Sequence, residues 1–119
     1  MENRLFDVDD GMDEDTCLAM YDNSYDFYRL VLETFCKEIT RTRESLKVMF
    51  GDDTTEDYRV LVHGLKGSGG SVGAVRLVEL ATKSNALIKE GKWEEAKELH
   101  EPIIDELTRL IELIPDKIR

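Results

Sequence analysis

The sequence predicts an all-α protein, an up-and-down four-helix bundle with a short additional N-terminal helix. Long stretches carry apolar residues at 3.6-residue spacing, and nowhere does strand-like alternation lie between hairpin turns. The 2 prolines and 8 glycines leave three helices of roughly 20 residues or more joined by short loops.

The elements follow in order. Residues 9–20 form a short acidic helical element in which Met12, Cys17 and Met20 are expected to face inward. Asp22, Asn23 and Ser24 supply cap residues. A helix then runs from about residue 24 to Phe50, with Tyr28, Val31, Leu32, Phe35, Ile39, Leu46 and Met49 on its apolar side and Gly51 as its stop. Thr54, Thr55, Glu56 and Asp57 look like a helix N-terminus, with a cap hydroxyl and first-turn acids that suit the helix dipole; that helix extends to about Ser71.

After Gly73 a fourth segment puts Leu77, Leu80, Ala81, Ser84, Leu87 and Ile88 on one face and stops at Gly91. Trp93, Ala96, Leu99, Ile103, Leu107, Leu110 and Ile114 form a last stripe before Pro115. Pro102 lacks a backbone donor, so a kink or break is expected between His100 and Pro102. The bundle proper is expected over residues 24–115, and residues 1–119 as one domain.

Composition narrows the function classes. A net charge of −10 argues against nucleic acid as a partner, because affinity for a polyanion comes mostly from Lys and Arg. No apolar run reaches the ~20 residues of a membrane span, so no membrane insertion is expected. The acidic residues 1–15 lack the basic start and apolar stretch of a signal peptide. Cys17 and Cys36 show no CxxC spacing and read as free thiols, which with the rest points to a cytoplasmic protein.

The third helix carries the unusual chemistry. At ~100° per residue, Tyr58, Leu61, Val62 and Leu65 share the sector that faces the core, and His63 lies roughly opposite, toward solvent. Lys66 and Gly67 follow at the i+3 and i+4 spacings that make helix residues neighbours, with Gly70 one turn further on the same side. Glycine inside a helix costs about 0.8–1 kcal/mol relative to alanine, and Gly64, Gly67, Gly69 and Gly70 all crowd this one histidine.

Glycines are useful where something must approach the backbone closely. An accessible histidine beside an ammonium suits phosphoryl chemistry, in which charge spread over the phosphoryl oxygens is stabilised by a nearby cation. Imidazole in water is mostly uncharged at neutral pH and can act as a nucleophile without a dedicated base.

The run His63-Gly64-Leu65-Lys66-Gly67-Ser68-Gly69-Gly70-Ser71-Val72-Gly73-Ala74 resembles the H-x-L-K-G-x-x-x-x-x-G-A signature of histidine phosphotransfer (HPt) domains. Phe6-Asp7-Val8-Asp9-Asp10-Gly11-Met12 and Gly91-Lys92-Trp93-Glu94-Glu95-Ala96 are also similar to segments of family members. The resemblance implies that His63 is the phosphoacceptor in a two-component phosphorelay, that Lys66 assists the phosphoryl group, and that Gly67 leaves room for the partner. Gly70 and Asn85 are auxiliary candidates, Asn85 standing where family members often carry Glu or Gln. Gly73 is expected to bring the next turn close.

The partners implied are response-regulator receiver domains and a hybrid sensor histidine kinase. The chain would be a phosphotransfer intermediate with no kinase activity of its own, an expected monomer with no cofactor, any Mg²⁺ coming with the receiver. Alternatives are the phosphoacceptor module of a chemotaxis-type kinase and a non-phosphorylated helical adaptor. His100, beside Pro102, reads as a surface residue or local cap, and the acidic stretch Asp7 to Asp15 as a solvated face or part of a docking rim.

Overall fold

The computed structural model describes residues 4–52 and 54–119. Residues 1–3 and Asp53 lie outside that set, so the expectations for the extreme N-terminus and for one domain over residues 1–119 fall partly outside it. A short 3-10 turn, Val8–Asp10, precedes six helices: α1 Glu14–Met20, α2 Tyr25–Asp52, α3 Thr55–Val72, α4 Val75–Lys89, α5 Trp93–Lys97 and α6 His100–Lys117. Neighbouring pairs are α2–α3, α3–α4, α4–α6 and α6–α2, which closes the four long helices into a bundle of 49 × 22 × 21 Å. The connections between consecutive helices are too short for anything but antiparallel neighbours, as the up-and-down prediction requires.

The core is the set of stripes read from periodicity. Tyr28, Leu32, Ile39 and Leu46 of α2, Val62 and Leu65 of α3, Leu77 and Ala81 of α4, and Ile103, Leu107, Leu110 and Ile114 of α6 are 0–1% exposed. Gly91 stops α4 at φ +76°. Pro102 coincides with the expected break: it sits in the first turn of α6, where its missing N–H needs no intrahelical acceptor.

Several boundaries, one cap and several burials differ from expectation. The N-terminal element is not continuous over residues 9–20: Gly11 at φ +70° ends the 3-10 turn, Met12 makes an isolated bridge to Ala74, and Asp13 Oδ1 accepts the Thr16 N–H to start α1. Met20 faces solvent at 56% exposure, because α1 is only 7 residues long and turns its other side, with Cys17, to the bundle.

Gly51 does not stop α2, which runs to Asp52; a glycine ends a helix by turning left-handed, and Gly51 is not among the positive-φ glycines. Thr54 holds the N-cap position of α3, but its hydroxyl donates back to the Met49 carbonyl at 3.3 Å instead of capping. Pro115 does not end α6, which continues to Lys117. The Ile111 carbonyl, which would have accepted the N–H that Pro115 lacks, accepts Cys36 Sγ–H at 3.8 Å.

Two features fix the C-terminal end of α3, the helix that carries His63. The last carbonyls of a helix lack intrahelical donors. Here Gly69 O accepts the Gly73 and Ala74 N–H groups, Gly70 O accepts Cys17 Sγ at 3.6 Å, Ser71 O accepts the Tyr21 hydroxyl at 2.7 Å and Val72 O accepts the Tyr28 hydroxyl at 2.8 Å. Burial raises the Cys17 thiol to about 11 and pushes the Tyr28 phenol upward, so both stay protonated donors.

Gly73, at φ +80°, then turns the chain into α4. A Cβ there would lie 2.6 Å from the Asp13 carbonyl oxygen. The N-terminal segment that supplies Asp13 is itself tied down by the fully buried Glu14, whose carboxylate accepts the Leu5 and Phe6 N–H groups and the Tyr25 hydroxyl at 2.9–3.0 Å.

Candidate functional site

His63 emerges from the middle of α3 on the side away from the core, exposed as its angular position predicts. Among the described residues it makes no hydrogen bond or ion pair. Side chains on a helix lean toward its N-terminus, so the imidazole lies over the turn that carries Arg59 and Val60, while any side chain at position 67 would lean back over the imidazole. Position 67 is glycine. A Cβ added at Gly64, Gly67 or Gly70 meets nothing within 4 Å, so among the described residues the space at these glycines is open. Lys66, half-buried, leans from i+3 toward the same ring and has no carboxylate partner among the described residues.

The glycines divide by role. Gly69 is the packing glycine: it is buried against α4, with Val78 Cγ2 3.1 Å from where its Cβ would be. Gly73 was expected to serve close helix packing or approach, and its left-handed turn against the Asp13 backbone is such an approach.

Asn85 is 95% buried on α4. Its Oδ1 accepts from Arg59 Nη1 at 3.4 Å, and no hydrogen bond joins it to His63. Arg59, one turn N-terminal to His63 and a quarter exposed, also donates through Nε and Nη2 to the two carboxylate oxygens of Glu56 at 3.2 and 2.7 Å. This pairing raises the Arg59 guanidinium and lowers the Glu56 carboxyl, so both remain charged. Sequence reading passed over Arg59; its i−4 spacing from His63 was the available signal.

On the α2 side, Ser68 donates to Glu38 Oε2 at 2.6 Å, and an open groove runs between the helices past Ser68 and Ser71. Phe27 and Leu30, 48% and 56% exposed, form its apolar wall.

His100 is not a surface residue. It is 5% exposed, stacked on Phe50 with ring centroids 3.8 Å apart at 6°, and its Nδ1 lies 2.7 Å from the Tyr58 hydroxyl. Burial lowers the imidazole and raises the Tyr58 phenol. Both shifts favour the neutral forms, which share this one hydrogen bond. The ring is covered because α6 begins at His100 itself and directs it under the end of α2, which an i+2 proline in the sequence could not reveal.

Among the described residues no group of three or more His, Cys, Asp or Glu side chains is placed to hold a metal ion, and no helix is long and apolar enough to cross a membrane.

Comparison with known proteins supplies the rest. A search of curated proteins finds no match. The crystal structure of the HPT domain from a sensor hybrid histidine kinase of Shewanella is similar in fold, with a TM-score of 0.82 and 17% sequence identity over 90% of this chain and 92% of that one. The model of the Hpt domain family matches residues 30–114, a span that takes in most of α2, all of α3 and α4, and α6 up to Ile114. With the fold and the greater part of the sequence in agreement, the chain belongs to the Hpt domain family, the histidine phosphotransfer domains of two-component relays.

Proposed function

We propose that His63 is the residue on which this domain carries the phosphoryl group, as a cytoplasmic intermediate between the receiver domains of response regulators and a hybrid sensor kinase. The observation that carries the reading is the exposed imidazole, without a partner among the described residues, and the open space at Gly64, Gly67 and Gly70. His100, the other histidine, is buried and occupied by Tyr58. A nitrogen lone pair of His63 attacks the phosphorus of a receiver's aspartyl phosphate. The N–P bond forms as the acyl O–P bond breaks, and the carboxylate leaves. The reverse exchange on a second receiver returns the imidazole.

Little covalent work falls to the protein in such a transfer; position and charge decide the rate. Lys66 supplies charge to the phosphoryl oxygens. Gly67 admits the receiver, and Phe27 and Leu30 extend the docking face along α2. Free thiols at Cys17 and Cys36 fit a reducing compartment.

The test is transfer from a receiver domain loaded with acetyl phosphate. Wild type is expected to take up an alkali-stable, acid-labile label, and His63→Gln none, at unchanged helical circular dichroism. Label on His63→Gln at the wild-type level would overturn the assignment.

A further inference from the structure

Arg59 and Asn85 form a second arm of the site, one turn N-terminal to His63 where Lys66 is one turn C-terminal. The imidazole leans over the turn that holds Arg59, and i−4 neighbours on a helix have Cβ atoms only ~5–6 Å apart. The guanidinium is held in two ways. Asn85 Oδ1, fixed by 95% burial on α4, accepts Nη1 from below at 3.4 Å. Glu56 accepts Nε and Nη2 from the outside.

The two partners differ in how firmly they hold. The Glu56 side chain is 72% exposed, and an ion pair in that setting is weak and screened by solvent, so water readily takes Glu56 back. Asn85 has no such freedom. A phosphoryl group on His63 brings more charge than one carboxylate, and arginine's planar fork suits its oxygens.

We propose that Arg59 is a phosphoryl-contacting cation of the transfer reaction: it exchanges Glu56 for the oxygens of the phosphoryl group on His63, with Asn85 as the positioning residue that keeps the guanidinium within reach. The inference rests on His63 as the phosphoacceptor. It gives Asn85 a role through Arg59 instead of through the imidazole. It also accounts for a buried amide at this level of α4, where an apolar side chain would leave Nη1 without this acceptor.

The experiment follows transfer from a phosphorylated receiver domain at several receiver concentrations, for wild type, Arg59→Gln, Arg59→Lys, Asn85→Ala and the double variant Arg59→Gln/Asn85→Ala. Arg59→Gln is expected to lower the maximal rate roughly 5–20-fold, less than the loss of a fully buried donor because the group is partly solvated, with the half-saturating receiver concentration moving less than about twofold. Arg59→Lys recovers part of the rate. Asn85→Ala lowers it about 2–5-fold, and the double variant is no slower than Arg59→Gln alone, since a residue acting through another adds nothing once that other is gone.

An unchanged maximal rate in Arg59→Gln, an effect confined to receiver affinity, or an undiminished Asn85 effect without Arg59 would each overturn the proposal while His63-dependent labelling stood. Labelling that survives His63→Gln would instead remove the reading on which it rests.

Discussion

On the proposed reading, the missing side chain at position 67 sets what can reach His63. Any residue larger than glycine there would lean N-terminally over the imidazole, and among the described residues nothing lies within 4 Å of where its Cβ would be. Gly67→Gln therefore separates folding from transfer. It should raise stability slightly, by up to about 0.5–1 kcal/mol from helix propensity, and slow transfer at least about tenfold. Urea unfolding and receiver-to-domain transfer check the two halves; transfer at the wild-type rate would show that access does not pass over Gly67.

The positions of His63, Lys66 and Gly67 were legible because rotation about one helix needs only the sequence of that helix. His100 and Asn85 were not, because their partners come from other elements. Asn85 meets Arg59 only through the register of α4 on α3, which Gly69 against Val78 and the turn at Gly73 set.

At the level of elements, α1 and the start of α2 serve as a cap for α3. Cys17, Tyr21 and Tyr28 take up carbonyls that the end of the helix leaves open, and so hold the His63 helix from its C-terminus. Tyr28→Phe keeps the ring in a fully buried site and removes the hydroxyl that donates to Val72 O. It is expected to cost about 1–3 kcal/mol, seen as a lower urea midpoint at unchanged slope. No loss of stability would mean that another donor replaces the hydroxyl.

Stops were legible where chemistry forces them, at Gly91 and at the break before Pro102, since a left-handed glycine and a missing N–H act locally. They were not legible at Gly51 or Pro115. There the helix continues because Gly51 keeps a helical φ and because Cys36 occupies the carbonyl that Pro115 leaves.

Across the whole molecule, the bundle's far end is closed by Phe50, Tyr58, Trp93 and His100, drawn from α2, α3, α5 and α6. Burial lowers the His100 imidazole, Lys47 lowers it further and Glu101 partly opposes them. The unfolded imidazole takes up its proton near about pH 6.5, before the folded one does, so the folded state binds fewer protons just below that pH. Stability from this group is full above about pH 6.5 and falls as the pH drops through the window beneath it. The urea midpoint of wild type should decline between about pH 7 and 5.5, and that decline should be smaller in His100→Gln, whatever its absolute stability. Equal slopes would place the titration elsewhere.

The stripes that form this closed bundle were readable from periodicity alone. Its aromatic end was not, because four elements must meet before any of its contacts exist.

The relay reading depends on where the phosphoryl group resides. The most direct measurement phosphorylates the wild-type chain with phosphoramidate, digests it under alkaline conditions and locates the phosphate by fragment mass spectrometry. The phosphate is expected on the imidazole of His63 alone; phosphate on His100, or on a hydroxyl or carboxylate with His63 unmodified, would contradict it.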